Sequence, residues 1–290
     1  MEKKKSIAGL SSAGLLLTAL IWGFAFVVVK NSLDLVDPIY MLAFRFSIAA
    51  VGLSVIFVKR LKRIDLAILK SGFILGALLF AGYAFQTIGC KYTTAGKNAF
   101  LTAVYVVIVP FLHWLINRQK TGRLHIIAAI IAVAGIGLIS FQGDWSVNIG
   151  DLLTLICGLA YATHIVFIEK YTARQDPVLL TILQLGFAAA MSWLLASVME
   201  GGFPQGALRP DIIASMLYLG LLSTMLAFFL QNVCQKYTSP STAAILLSTE
   251  SVFGVVFSVI FLSEQITVRM AAGCTLIFAA IIMAESRFGK

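Results

Sequence analysis

The side chains able to do chemistry in this 290-residue chain are few, and the most telling ones stand inside long apolar stretches. Glu250 lies about ten residues into the stretch 241–262, flanked by Ser248, Thr249 and Ser251. At about 1.5 Å per helical residue that is roughly 15 Å along the run. Keeping a charge at such a depth in hydrocarbon costs roughly 2.5–3.5 kcal/mol on insertion scales. A carboxyl there reads as a cation or proton site, as a contact for the amine of a small solute, or as an internally paired structural group.

Arg45 occupies a comparable place in the stretch 38–58. Its planar fork matches a carboxylate, so it reads either as a substrate contact or as a side chain that snorkels outward or pairs with Glu250 or a carbonyl. His164 is the deepest of the three histidines and the one suited to carry protons. His113 and His125 fall near the ends of their stretches. Asn98, Thr102 and Tyr105 follow the spacing i, i+4, i+7, which predicts one helix face. That face lines a cavity or bonds to a neighbouring helix. Gln86 and Gln231 are placed to guard the two mouths of a pathway or to meet interfacial water. Trp22, Tyr83 and Tyr161 stand away from any interfacial belt. They read as rings that stack on an apolar or cationic solute, or as packing.

Enzyme chemistry finds little support. A membrane-embedded protease or transferase needs a nucleophile–base pair, a carboxylate pair or a metal cluster. Asp144 and Asp151 read as residues in or beside a loop, and no histidine pair has ligand spacing. Cys90, Cys157, Cys234 and Cys274 are scattered, without a C-x-x-C, so neither a disulfide framework nor a zinc site is expected. There is no Walker A motif. The expectation is no enzyme, no cofactor and no metal.

The elements that must hold these residues are legible from hydropathy. Apolar residues make up 60% of the chain and charged residues 12%, against about 45–50% and 25% in soluble domains. Ten stretches approach the roughly 20 residues that cross a bilayer: 10–29, 38–58, 66–89, 96–116, 124–141, 150–168, 178–199, 212–233, 241–262 and 266–284. They are too long and too uniformly apolar for barrel strands, so an all-α membrane protein is predicted. Lys3, Lys4 and Lys5 before an apolar run imitate a signal peptide, but the run from Leu10 to Val29 is too long for one.

With the N-terminus inside, sixteen Lys and Arg residues fall on the inner side. Lys30, Lys91, Lys97, Arg209 and Arg269 fall outside, and Arg45 lies within a span. This bias places both termini in the cytoplasm of a cell (inner) membrane. It also accounts for the net charge of +9 without nucleic acid.

The chain repeats itself. Ile21–Phe26 resembles Ile156–Tyr161, and Asp37-Pro38 matches Asp176-Pro177. Gln86 with Lys91-Tyr92-Thr93 matches Gln231 with Lys236-Tyr237-Thr238. Thr121-x-Arg123 and Ser140-x-x-Gly143 match Thr267-x-Arg269 and Ser286-x-x-Gly289. The offset rises slowly from 135 to 146, which predicts a first five-helix repeat over 1–143 and a second over 144–290. Five is odd, so the second half enters the membrane from the opposite face. Inverted repeats predict a secondary transporter with its site near mid-membrane, working by alternating access. Glu250 then corresponds to Tyr105, and Arg45 to Gln184.

At this point the chain resembles the drug/metabolite transporter superfamily, of the EamA type. The resemblance rests on Trp22-Gly23, Asp37-Pro38 to Arg45-Phe46, and Asn98-Ala99-Phe100-Leu101 to Pro110. It rests further on Leu247-Ser248-Thr249-Glu250, then Leu262-Ser263-Glu264-Gln265-x-Thr267 and Gly273. Asn117-Arg118-Gln119 departs from it, standing where the family often has an acidic residue. The resemblance implies a secondary transporter, on balance an exporter, of small organic metabolites, amino acids or drugs. Its partners would be a small-molecule substrate and the lipid bilayer, with proton or exchange coupling. A membrane-embedded enzyme or an uptake permease of the same fold is the alternative.

Overall fold

A chain whose backbone lies in hydrocarbon must satisfy every N–H and C=O internally, and helices do so within one segment. The computed structural model describes residues 2–117, 123–140, 148–238 and 240–285, and among these it contains helices and no strand. In order they are α1 (Glu2–Ser32), α2 (Pro38–Ile56), the single turn α3 (Val58–Leu61), α4 (Leu66–Tyr92), α5 (Ala95–Thr102), α6 (Tyr105–Asn117) and α7 (Arg123–Ser140). There follow α8 (Ile149–Thr172), α9 (Pro177–Met199), α10 (Pro210–Leu217), a π-helical stretch (Tyr218–Leu226), α11 (Ala227–Gln235), α12 (Pro240–Ser248), α13 (Glu250–Leu262) and α14 (Val268–Glu285).

Among the described residues eight segments are long and apolar enough to cross a membrane, including Ala95–Ile116, Pro210–Gln235 and Thr242–Leu262, each built from more than one helical piece. The stretches expected at 124–141 and 266–284 form α7 and α14, whose apolar cores, Ile126–Gly135 and Val268–Ala280, are shorter. Of the repeat motifs, Thr121, Gly143, Ser286 and Gly289 lie outside the described residues. So do Arg118, Gln119, Lys120, Asp144, Arg287 and Lys290.

Local chemistry sets the helix starts. Asp65 accepts from the Ile68 N–H, Asn148 from Gly150 and Asp176 from Val178. Pro38 and Pro177 occupy first-turn positions after Asp37 and Asp176, where a missing N–H costs nothing. Large apolar side chains face outward along the bundle, such as Leu10, Val198 and Val268, the last 88% exposed. Water would penalise that surface and lipid does not.

Packing is tight where small residues meet. A Cβ on Gly72 would stand 2.5 Å from Leu183 Cβ, and one on Gly76 would stand 2.8 Å from the Gln184 carbonyl. The Gly72-x-x-x-Gly76 face therefore beds α4 directly on α9. Likewise α2 packs on α9, α7 on α14, α4 on α8, α1 on α11, and α13 on both α1 and α5.

Two breaks were not expected. The stretch 96–116 divides between Thr102 and Tyr105, and the stretch 241–262 divides at Thr249. At the first, Val104 bonds to the Leu101 carbonyl and Val106 to that of Ala103, tighter i to i−3 contacts than an α-helix makes. At the second, the hydroxyls of Ser248, Thr249 and Ser251 bond back to the carbonyls of Ile245, Leu246 and Ser248. Such back-bonding competes with the helical ladder and bends it.

Candidate functional site

Between α1, α4, α8 and α11, closed in by single residues from the other central helices, lies a cavity of about 50 Å³. Its lining includes Trp22, Arg45, Gln86, Asn98, Tyr105, Tyr161, His164 and Glu250. Tyr83 and Gln231 line it as well, so ten of the eleven side chains raised as pathway or solute candidates meet in one place. Thr102 stands just behind them, accepting from Gln86 Nε2 at 3.1 Å and lying 3.7 Å from Cys157 Sγ.

The helix break places the acidic pole. Glu250 opens α13 and Tyr105 opens α6, so both project from backbone that has just departed from regular helix. Glu250 is 4% exposed, with the Tyr105 ring beside it. Among the described residues no Lys, Arg or His lies within salt-bridge distance of its carboxyl. The Tyr105 hydroxyl is buried against this carboxyl. The break falls between Thr102 and Tyr105, and Asn98 and Tyr105 line the same cavity across it.

The basic pole stands apart. Arg45 is 2% exposed and donates from Nε to Thr224 Oγ1 at 2.9 Å and from Nη2 to Ser223 Oγ at 3.0 Å. Its guanidinium lies 4.4 Å from the centre of the Tyr83 ring. Its partners are hydroxyls and a π face. It makes no ion pair with Glu250, so the pairing open from the sequence is not the one formed, nor does it snorkel. A guanidinium held by neutral groups keeps capacity for a carboxylate.

Aromatic and amide groups lie between the poles. Tyr83 meets Tyr161 edge-on at 5.5 Å, and Trp22 meets Phe228 at 5.2 Å. The Trp22 indole N–H donates to the Ser223 carbonyl at 2.8 Å. Gln86 is fixed on both sides, its Oε1 accepting from the Tyr161 hydroxyl at 3.1 Å. Asn98 Nδ2 donates to Thr154 Oγ1 at 2.7 Å. His164 Nε2 and Gln184 Oε1 lie 2.7 Å apart. Gln86 and Gln231 both line this one cavity rather than two separate mouths.

Sequence reasoning missed Ser223, Thr224 and Phe228. The adjacent hydroxyls of Ser223 and Thr224 inside an apolar run were the available signal. It also placed Asp151 in or beside a loop. The structure puts it, fully buried, in the first turn of α8, accepting from the Thr93 hydroxyl at 2.6 Å with Lys97 at 3.7 Å.

The EamA-like transporter family model matches residues 10–141 and again 148–285. The chain belongs to the EamA-like transporter family. It is 35% identical over 274 residues to an uncharacterized transporter of Archaeoglobus fulgidus, covering 94% of this chain and 85% of that one. It is 26% identical to the uncharacterized transporter YoaV of Bacillus subtilis, covering 96% and 97% of the two chains. It is 26% identical to a probable amino-acid metabolite efflux pump of Salmonella typhimurium, covering 92% and 91%. A solved crystal structure superposes with a TM-score of 0.69 over 95% of this chain and 97% of the other, at 18% identity, a likeness of fold alone. Family membership and apolar helices together make this a multi-pass membrane protein. The names of its relatives point to a transporter rather than an enzyme.

Proposed function

We propose that this family member is a secondary transporter that exports small organic solutes by alternating access, binding them in the cavity between Glu250 and Arg45. The carrying observation is the pair of buried, opposite charges without ionic partners, separated by Tyr83, Tyr161 and Trp22. A zwitterion such as an amino acid fits that pattern, with its ammonium toward Glu250 and its carboxylate toward Arg45. The relative named as an amino-acid metabolite efflux pump is in keeping with this.

In this reading the chain crosses the membrane ten times as two inverted repeats, 1–143 and 144–290, with both termini in the cytoplasm of the cell membrane. Three observations support it. The family model matches twice, once in each half. The two helix breaks fall at Ala103-Val104 and at Thr249, positions equivalent at the repeat offset of 145 to within a residue. The packing also maps onto itself. α4 on α8 answers to α11 on α1, α4 on α9 to the π-helical stretch on α2, and α13 on α1 to α6 on α8. Broken helices meeting at a central site are the usual build of such carriers.

The test is a thermal-shift screen of the purified protein against amino acids and small amines, since a ligand of the folded state raises its melting point. The stabilising compound is then followed into liposomes. Glu250→Gln is expected to abolish flux, and Arg45→Lys to weaken binding at least tenfold, about 1.4 kcal/mol, with folding retained in both. Unimpaired transport by Glu250→Gln would sink the assignment.

A further inference from the structure

Buried polar atoms without partners are rare in folded proteins, and a cluster of them asks what satisfies them. Among the described residues nine buried side-chain atoms have no hydrogen-bond partner. Six of the nine belong to Gln175, Gln184, Gln231, Asn232 and Gln235. These residues form a seam where α8, α9 and α11 meet. Gln184, Gln231, Asn232 and Gln235 are each at most 2% exposed.

The seam has two ends. At one, Gln231 and His164 line the central cavity. At the other, Gln175 and Lys236 line a second recess of about 590 Å³, beside Arg60 and Asp176, which are joined at 2.7 Å. Gln231 and Gln235 are one helical turn apart and share a face of α11. Asn232 donates to Thr181 Oγ1 at 2.7 Å, tying α11 to α9, and His164 with Gln184 ties α8 to α9. Four acceptor oxygens and two donor nitrogens of these amides are left without partners in the seam. A neutral amide attracts no ion strongly, and the spacing suits molecules that both donate and accept. Buried water does both, and typically makes about three hydrogen bonds to such groups.

We propose that this seam binds a file of water molecules connecting the central cavity with the inner recess, and that the file carries protons between them. α8, α9 and α11 all lie in the second half, while both ends of the route, the central cavity and the recess with Phe57 and Arg60, are shared with the first half. The ionisable groups along it are Glu250 and His164 at the cavity, Cys234 on α11, and Arg60, Arg174, Asp176 and Lys236 at the recess. The two direct bonds, Asn232 to Thr181 and His164 to Gln184, interrupt the file in this conformation and prevent an open leak. Proton carriage rests on the transport reading of Glu250; the bound water does not.

Two measurements on the full chain in lipid test it. A structure at a resolution showing ordered water is expected to place waters in hydrogen-bond contact with Gln231 Oε1, Asn232 Oδ1 and Gln235. Amides bonded only to one another, with no water between them, would overturn the seam whatever Glu250 does. In liposomes carrying a pH dye, the amino acid identified by thermal shift is expected to drive proton movement. Asn232→Leu should slow that movement at least tenfold, about 1.4 kcal/mol in barrier, while amino-acid exchange continues. Thr181→Val, which removes the acceptor that holds Asn232 Nδ2, should instead raise proton leak in the absence of amino acid. Proton movement unchanged in both variants, or absent from the parent while exchange proceeds, overturns the proton role.

Discussion

Glu264 offers the sharpest test of how the second half holds the first. α13 ends at Ser263, which adopts a left-handed conformation (φ 53) and turns the chain back on itself. The next side chain, Glu264, then reaches the start of α5. Its Oε1 accepts the Ala95 N–H at 2.8 Å and its Oε2 the Gly96 N–H at 3.1 Å, while Thr94 Oγ1 takes the Lys97 N–H at 3.2 Å. The free donors of that helix end are thus satisfied by one carboxylate and one hydroxyl. A hydrogen bond to a charged group contributes about 1.5–3 kcal/mol. Glu264 is only partly buried, so the lower figure applies, and Glu264→Ala should cost roughly 3 kcal/mol for the two bonds. Glu264→Gln keeps one acceptor and loses the charge facing the helix dipole, for about half to two thirds of that loss. At 2–4 °C per kcal/mol the alanine variant should melt roughly 6–12 °C below the parent. The assay is thermal unfolding of purified protein in nanodiscs, followed by tryptophan fluorescence. An alanine variant within about 0.5 kcal/mol of the parent, the range of ordinary surface changes, would refute the capping argument. So would glutamine and alanine variants that melt alike.

Glu200 makes the same kind of contact at the start of α2, accepting from Ile39 and Tyr40 at 2.8 Å each, but burial holds its carboxyl above the ordinary glutamate value of 4.5. Its protonated form is favoured in the folded state, so the stability it contributes is present below 4.5 and is lost as pH rises through the raised value. Melting points taken across that acid window should fall with rising pH in the parent and flatten in Glu200→Gln; parallel curves would contradict this. Gly254→Ala should destabilise by about 1–3 kcal/mol, because the added methyl would lie 2.5 Å from Ala99 Cβ. Gly186→Ala, with nothing within 4 Å, should stabilise by up to about 1 kcal/mol through helix propensity, and equal shifts in the two variants would show that the close contact at Gly254 is not what matters.

What the sequence made legible follows from the cost of polarity in an apolar medium. Glu250, Arg45 and His164 stand out because few charges tolerate such surroundings, and the structure gathers all three around one cavity. Their partners were a different matter. Arg45 is tied to Ser223 and Thr224, 178 and 179 residues away, and no spacing rule along one helix reaches that far. The breaks at Ala103-Val104 and Thr249 escaped because hydropathy runs through them unchanged. Only the run of hydroxyls from Ser248 to Ser251 hinted at one of them, through their habit of bonding back to the preceding turn.

The same asymmetry explains why the seam of amides went unread. Gln184 stands out from the sequence only as the uncharged counterpart of Arg45, and Gln231 only as a residue at a pathway mouth or the interface, paired with Gln86. Asn232 and Gln235 fall at the end of a span, where a polar residue looks like ordinary interfacial solvation. Their burial is a tertiary fact, set by α8 and α9 closing over α11. A repeat compares each residue with its partner in the other half, and this seam has none. At the repeat offset of 145 the counterpart of Asn232 is Thr87 and that of Gln235 is Cys90, both of which line or border the central cavity. The two halves thus use equivalent positions differently: Thr87 and Cys90 line the central cavity, and Asn232 and Gln235, equally buried, do not. On the inverted-repeat reading proposed above, such unequal halves would give the two faces of a carrier different chemistry, and that difference would assign a direction to protons or solute.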